Sequence, residues 1–475
     1  MVNVTELGSI RHIHFVGIGG AGMSGIAEVL LRQNYQVTGS DIAQNAVVQH
    51  LMGLGATISL EHQAENIVGA DVIVTSSIIS PDNPEVVAAR AAQIPVIHRA
   101  QMLAMLMQNK NGIAIAGTHG KTTTTSLAAS MLAEGGMDPT FVIGGILKSA
   151  GANAHLGQSD YFVAEADESD ASFLYLHPKI IIVTNIDADH LGTYGGDFNK
   201  LCDAFVDFIQ QLPTDGLAVL CLDDPIVRQM IPRITRPIVT YGFDTAADLR
   251  IINFRPDGFQ THFTVHQTIN GQELNLTLNL PGTHNVLNAT AACAVAMHIN
   301  VPHVSIQQAL QKFAGVARRM QIYGEFETTK GKILLIDDYG HHPREIKATW
   351  SAIRQAWPDR RLVVIYQPHR YTRTQDLFEE FVAVLSEEAD QLILLDVYAA
   401  GEQPIIGADG LSLFQAVEQR AKPQHAVFVP QLSLLPKVLQ EVLDEGDIVL
   451  TQGAGNVGTV APRLATNGFH AWEQA

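Results

Sequence analysis

The chain has 475 residues, 47% of them hydrophobic, and its 30 Lys+Arg against 48 Asp+Glu leave a formal net charge of −18. That length exceeds what one hydrophobic core serves and predicts roughly three domains; the acidic balance, without a long basic run, argues against nucleic acid or an anionic membrane as partner. Cys202, Cys221 and Cys293 lie in apolar segments without CxxC spacing, no apolar signal-like run precedes Gly17, and no segment is long enough to span a membrane, so a reducing, cytoplasmic setting is expected.

Three strand–glycine–helix starts divide the chain. The first is an apolar strand over 10–16, the loop Gly17-Ile18-Gly19-Gly20-Ala21-Gly22, and a helix with Met23, Ile26, Ala27 and Leu30 on one face. A strand over 35–38 leads to Asp41, and β-rich runs at 71–75 and 95–97 alternate with Ala-rich helical stretches to about residue 107. This is a doubly wound parallel α/β pattern. Gly17, Gly19 and Gly22 match GxGxxG, with Asp41 19 residues beyond Gly22. Three readings fit: a dinucleotide site with Asp41 on a ribose hydroxyl, a site for another diphosphate such as a nucleotide sugar, or a turn required for tight strand–helix packing.

The second start is a strand over 112–116, the loop Gly117-Thr118-His119-Gly120-Lys121-Thr122-Thr123 and a helix over 122–133. A loop that wraps a triphosphate needs small residues, so that backbone N–H groups can point inward, and a helix N-terminus behind them. Lys121 supplies a mobile cation for the β/γ-phosphates and the Thr122 hydroxyl is placed for Mg²⁺. Position 115 is Ile, so the strict GxxxxGK[ST] pattern is shortened to GxxGKT.

Strands over 161–164 and 180–184 follow. The first runs into Glu165-Ala166-Asp167-Glu168-Ser169-Asp170 and the second into Asn185-Ile186-Asp187-Ala188-Asp189-His190. In open α/β sheets ligands sit beyond the C-terminal strand ends. Glu165 there can complete a hard Mg²⁺ site with Thr122, and His190 can serve a second metal. Asp167, Glu168 and Asp170 read as solvated or supporting groups. From 216 to about 280 the alternation becomes β-like, read as an antiparallel extension of the central domain. Helices over 285–297 and 305–313 return it to α/β. Asn285 and Asn288 share a helical face and fit either a purine edge or the capping of their helix.

The third unit, from about Tyr323, carries strands at 332–337, 362–366, 391–396 and 448–451 and ends on Gly453-Ala454-Gly455-Asn456-Val457-Gly458. Asp337-Asp338-Tyr339-Gly340-His341-His342-Pro343 and His369-Arg370-Tyr371-Thr372-Arg373-Thr374 each follow a strand. Two such clusters on one sheet can converge on a small charged substrate or on phosphates. Zinc on His341, His342 and His369 is the weaker reading, since neither Cys nor a spaced His pair accompanies them.

Taken in order, GTHGKTTT, EADESD, NIDADH, HNVLN, DDYGHHP and HRYTRT resemble the Mur ligase family over essentially the whole chain. The resemblance implies an α/β protein of three domains: a Rossmann-like UDP-sugar domain (1–107), a central P-loop ATPase-type domain with an antiparallel β extension (108–322), and a Rossmann-like C-terminal domain (323–475) that binds the amino acid and closes the site. It implies joining of L-alanine to the carboxylate of UDP-N-acetylmuramate, with ATP as cosubstrate and Mg²⁺, for which Mn²⁺ substitutes. No nucleic acid, membrane or obligatory protein partner is implied.

By the same resemblance, Gly117, Thr118, His119, Gly120, Lys121, Thr122 and Thr123 would hold the ATP phosphates. Thr122 and Glu165 would bind one Mg²⁺ and His190 the second. Asn285 and Asn288 would face the adenine, with Arg319 and Asp338 on the nucleotide near the third domain. Gly17, Gly19, Gly20, Ala21, Gly22 and Met23, with Asp41, would hold the UDP-sugar. Tyr339, His341, His369, Arg370 and Arg373 would serve the amino acid, the acyl phosphate or closure. Several relatives hold the second metal through a carbamylated lysine, where this chain has Phe205. An NAD-linked oxidoreductase built on the first glycine loop and a regulatory ATPase without ligase activity are the rival readings.

Overall fold

The computed structural model describes residues 7, 8, 10–387, 389–420 and 426–467; the outermost parts of the expected first and third domains, 1–6 and 468–475, lie outside it. The first sheet holds β1 (His12–Val16), β2 (Gln36–Ser40), β3 (Thr57–Ser59), β4 (Val72–Thr75) and β5 (Val96–His98), all parallel in the order β3-β2-β1-β4-β5. Its central strand is buried at every position, as a parallel strand covered on both faces requires. The helix Ala21–Arg32 buries Met23, Ile26, Ala27 and Leu30, the face its spacing predicts.

The central sheet contains β6 (Asn111–Ala116), β7 (Thr140–Leu147), β8 (Ala152–His155), β9 (Tyr161–Glu165), β10 (Ile180–Val183), β11 (Leu217–Cys221), β12 (Ile238–Gly242), β13 (Leu249–Asp257), β14 (Gln260–Gln267) and β15 (Glu273–Leu278). Their order is β15-β14-β13-β12-β11-β10-β6-β9-β7-β8. β9, β6, β10, β11 and β12 run parallel, and β7 and β8 form an antiparallel pair at one edge. The antiparallel extension expected over 216–280 is therefore shorter than read. β11 and β12 continue the parallel sheet, and β13 joins β12 in parallel. Only β13–β15, adjacent in both sequence and sheet and joined by turns too short for a parallel crossover, form the meander.

The third sheet has β16 (Gln321–Thr328), β17 (Gly331–Asp338), β18 (Leu362–Tyr366), β19 (Gln391–Leu395), β20 (Ala426–Val429) and β21 (Ile448–Gln452) in the order β16-β17-β21-β18-β19-β20. β16 pairs antiparallel with β17, and the other pairs are parallel.

The described residues gather into two compact units. One holds those up to Phe254 together with His262–Leu278 and Leu287–Ala314; the other holds Arg255–Thr261, Asn279–Val286 and those from Gly315 on. Within the first unit a single apolar core runs from Phe15, Ile26 and Leu103 to Val142, Phe162 and Ile181. The first helix docks on the β7–β8 pair because Gly25 presents no side chain. A Cβ there would lie 3.0 Å from Val142, and Asn153 beside it donates to Ser24 Oγ across 3.1 Å.

Candidate active site

Register brings three strand ends to one edge of the central sheet. Ile115 pairs with Glu165 and Ala116 with Val183, so the loops after β6, β9 and β10 meet there. The loop after β6 carries two left-handed glycines, Gly117 (φ 129°) and Gly120 (φ 84°). A Cβ at Gly117 would come within 2.1 Å of Thr184 Oγ1, and one at Gly120 within 2.6 Å of Asn288 Oδ1; only glycine suits both positions.

The loop is pinned from the β10 side. Thr118 N donates to Asn185 O (3.0 Å), His119 N to Asn185 Oδ1 (2.8 Å), Asp187 N to Thr118 Oγ1 (2.9 Å) and Thr184 Oγ1 to His119 O (2.7 Å). The amides of Thr118 and His119 are thus spent on the scaffold. Those of the first turn of the helix Lys121–Glu134 have no intrahelical acceptor, an arrangement that suits an anion.

Lys121 Nζ lies 2.7 Å from Glu168 Oε2 and donates to Gly117 O (2.6 Å) and Thr118 O (3.2 Å). Glu168 is 2% exposed. Burial pushes its carboxyl up to about 7 against the pull of Lys121, while the surrounding carboxylates raise Lys121 despite its own burial. Asp167 sits 2.6 Å from Arg99 Nη2, and Asp170 lies 3.3 Å from His98 Nε2. Burial opposes ionisation of both acids, and cationic or hydrogen-bonding neighbours (Lys121 and Arg99 for Asp167, His98 and Ser172 for Asp170) outweigh it.

Of the two readings of Asp167, Glu168 and Asp170, solvated or supporting, the ion pairs favour the second. Each is engaged by a base, and Glu168 is in the interior. Arg99 and His98 escaped the sequence reading, although both stand where β5 passes into the helix Arg99–Met107, at the kind of strand end that marks ligand sites.

Glu165 ends β9 and its Oε1 accepts the Gly144 amide across 2.6 Å. Thr122 is buried in the first turn of its helix. A hydroxyl and a carboxylate at this edge are the hard oxygen donors that Mg²⁺ takes. His190 adopts a left-handed backbone (φ 55°), with Nε2 3.5 Å from Asp189 Oδ2; a nitrogen donor suits that ion less well. Phe205 is fully buried in the helix Phe198–Gln210, edge-on to Phe173 at 5.2 Å. Position 205, where the resemblance would place a modified lysine, is part of the apolar core. Asn288 lies against Gly120 at the phosphate loop, whereas Asn285 Nδ2 donates back to Pro281 O (2.8 Å) as the helix Thr283–His298 begins.

In the first glycine loop, Gly17 and Ile18 donate to Ser40 O, Gly20 to Gly17 O, and Gly19 to Asp41 Oδ2. Ala21, Gly22 and Met23 open the helix behind it. Arg99 borders the same loop: a Cβ at Gly22 would lie 3.0 Å from its Nη1. Each Asp41 oxygen accepts one backbone amide, Oδ2 from Gly19 and Oδ1 from Ala43, so this carboxylate braces the loop while keeping lone pairs for a ligand hydroxyl. Arg99 beside this loop is paired with Asp167.

At the C-terminal edge of the third sheet, Asp338 accepts from Met320 N (2.8 Å), Gly340 N (2.8 Å) and Thr349 Oγ1 (3.1 Å). Its carboxylate organises the loops around it. Tyr339 lies under two guanidinium groups, Arg319 at 4.9 Å and Arg318 at 5.2 Å from the ring centre. His341 packs edge-on to Tyr339 and against His369, which stacks on Tyr398; Arg373 Nη1 reaches 3.5 Å from His369 Nδ1. Burial drives His341 down to about 3 and His369 to about 4, with Arg373 adding to both. Arg370 is exposed, and its backbone, at φ 72°, is held by a bond from its amide to Tyr398 O. His342 caps the helix Pro343–Ala356 through Arg344 N. The last glycine loop packs on Gln367, whose Oε1 accepts Val457 N. Tyr398 and Arg318 were not singled out from the sequence; no motif marks them.

Among the described residues no helix is long and apolar enough to cross a membrane. Three family models match successive segments: "Mur ligase family, catalytic domain" at 12–111, "Mur ligase middle domain" at 115–296 and "Mur ligase, glutamate ligase domain" at 318–455. Among solved structures, the UDP-N-acetylmuramate-alanine ligase MurC of Thermotoga maritima is 29% identical, covers 96% of this chain and 98% of its own, and superposes with a TM-score of 0.81. A murein peptide ligase, mpl, of Psychrobacter arcticus is 25% identical over 98% of this chain and 100% of its own, with a TM-score of 0.70.

Proposed function

The chain belongs to the Mur ligase family, and from that premise we propose that it joins L-alanine to the carboxylate of UDP-N-acetylmuramate at the expense of ATP. That the enzyme is an amide-forming ligase of peptidoglycan precursors follows from the family; the choice of L-alanine is our inference. The observation that carries it is the likeness, over nearly the full length of both chains, to a UDP-N-acetylmuramate-alanine ligase. The division into domains 1–107, 108–322 and 323–475 and the cytoplasmic setting belong to the same reading.

In this reading the substrate carboxylate attacks the γ-phosphorus of ATP, and ADP leaves as the acyl phosphate forms. The amine of the amino acid then adds to the acyl carbon, and phosphate departs from the tetrahedral intermediate as the amine gives up a proton. Such transfers call for positioning and charge neutralisation. Lys121 and the first-turn amides hold the phosphates, and Asn288 supports Gly120 from behind. Thr122 and Glu165 would hold Mg²⁺, which when bound would supply charge neutralisation at the phosphates, and His190 would serve a second ion; Mn²⁺ would substitute. Arg319 and Asp338 would serve the nucleotide, and Asp338 fixes its own loop by accepting from Met320 N and Gly340 N. Gly17, Gly19, Gly20, Ala21, Gly22 and Met23 shape the UDP-sugar loop that Asp41 braces. Tyr339, His341, His369, Arg370 and Arg373 form the amino-acid and closure surface.

A second reading, in which the nucleophile is a peptide amine, is favoured by the full-length likeness to the murein peptide ligase. A panel of amino acids and short peptides with UDP-N-acetylmuramate and ATP, read by phosphate release and product mass, decides between them. Turnover with L-alanine and none with peptides supports the first reading. The reverse pattern overturns it, and phosphate release independent of both cosubstrates defeats the ligase reading.

A further inference from the structure

The side chains around Lys121 go beyond phosphate binding. An ammonium group has three donors, and in this structure all are used: Gly117 O, Thr118 O and Glu168 Oε2 lie at 2.6, 3.2 and 2.7 Å. Two of these acceptors are the backbone of the phosphate loop itself. The third comes from the loop after β9 and is the only one of the three that is an ionisable group.

Glu168 is itself fixed. Tyr194 Oη and Ala171 N both donate to its carbonyl, at 2.5 and 3.1 Å. Its neighbour Asp167 is anchored by Arg99 at 2.6 Å, and Ser169 N donates to Asp167 Oδ1 at 3.1 Å. A buried ion pair adds little net stability compared with apolar side chains of the same volume, because both charges are desolvated. What it does is hold the end of a flexible four-carbon chain at one place.

We propose that Glu168 is a positioning residue for the ATP-dependent step, its carboxylate holding Lys121 Nζ at the mouth of the phosphate loop where the terminal phosphates of ATP enter. It acts through Lys121 and differs in this from Glu165, which would hold the metal ion in the reading above. The proposal rests on the reading of Lys121 as the phosphate-binding lysine.

The test is steady-state kinetics of Glu168→Gln and Glu168→Asp in the full chain, varying ATP and the UDP-sugar acid separately, with Lys121→Ala alongside. Glu168→Gln, which keeps the shape and removes the charge, is expected to lower kcat/KM for ATP by roughly 10- to 100-fold, largely through KM, and to leave KM for the UDP-sugar acid within about twofold. Glu168→Asp restores the charge one methylene short and is expected to recover a clear part of that loss. A purely structural role would lower both cosubstrates' parameters together and would not follow the charge. Unchanged kcat/KM for ATP in Glu168→Gln, or equal losses toward both cosubstrates, overturns the proposal. If Glu168→Gln does not fold, Glu168→Asp decides alone: a raised KM confined to ATP supports the proposal and wild-type kinetics overturn it. Near-wild-type turnover in Lys121→Ala instead defeats the underlying reading of the loop, an outcome distinct from a silent Glu168 beside an inactive Lys121→Ala.

Discussion

The amide of Gly19 donates to Asp41 Oδ2 across 2.8 Å, and a Cβ at Gly19 would lie 2.9 Å from the same oxygen. The carboxylate at the end of β2 thus braces the glycine loop from within. Asp41→Ala is expected to raise KM for the UDP-sugar acid about tenfold or more while KM for ATP stays within about twofold, because the loop loses an ionic hydrogen bond of roughly 1.5–3 kcal/mol. Separate titration of the two cosubstrates checks this. A rise confined to ATP refutes it.

Gly117 has φ 129° and leaves no room for a Cβ beside Thr184 Oγ1. Gly117→Ala is expected to cost roughly 2 kcal/mol or more in stability and to abolish tight ATP binding, since a strained backbone and a displaced strand end add up. Denaturant unfolding and equilibrium nucleotide binding measure the two effects. A stable variant with intact binding contradicts this account of the loop.

Glu165 and Thr122 present oxygen donors at the same sheet edge. Glu165→Gln keeps an oxygen acceptor but loses the charge, so the Mg²⁺ concentration for half-maximal activity is expected to rise about tenfold. A Mg²⁺ titration of activity at saturating ATP reads the shift. An unchanged midpoint removes Glu165 from the metal site.

Burial and the guanidinium of Arg373 hold His341 at about 3 and His369 at about 4, against an ordinary 6.5, with Glu345 and Glu402 opposing. Both imidazoles are therefore neutral in the folded chain near neutral pH, whereas in the unfolded chain they take up protons below about 6.5. The unfolded state binds more protons in that window, so stability falls as pH drops from 6.5 toward 4, by up to about 1.4 kcal/mol per pH unit for each imidazole. Above 6.5 neither contributes a slope. Unfolding of wild type and His341→Asn between pH 4 and 7 tests the sign; the variant's acid limb is expected to be shallower.

Much of this protein is legible in one dimension because its signals are local. The helical face of Met23, Ile26, Ala27 and Leu30 and the apolar strands at 112–116 and 362–366 all follow from side-chain periodicity and burial. The glycine positions of the phosphate loop likewise follow from what backbone sterics allow. The pairing sense of 216–242 does not, because a buried strand reads alike in parallel and antiparallel neighbourhoods. Nor did any local signal set Glu168 apart from Asp167 and Asp170 in EADESD, or link Arg99 to an acid 68 residues away.

The sequence by itself determined the α/β class, the glycine loop between β6 and its helix, and the family. The tertiary structure decided which acids are buried, that Lys121 is held by Glu168, that Asp41 is turned to the backbone of its own loop, and that Phe205 belongs to the core. The physical reason is that burial and ion pairing depend on neighbours brought together by strand order, whereas helix faces, turns and glycine sterics depend on residues a few positions apart.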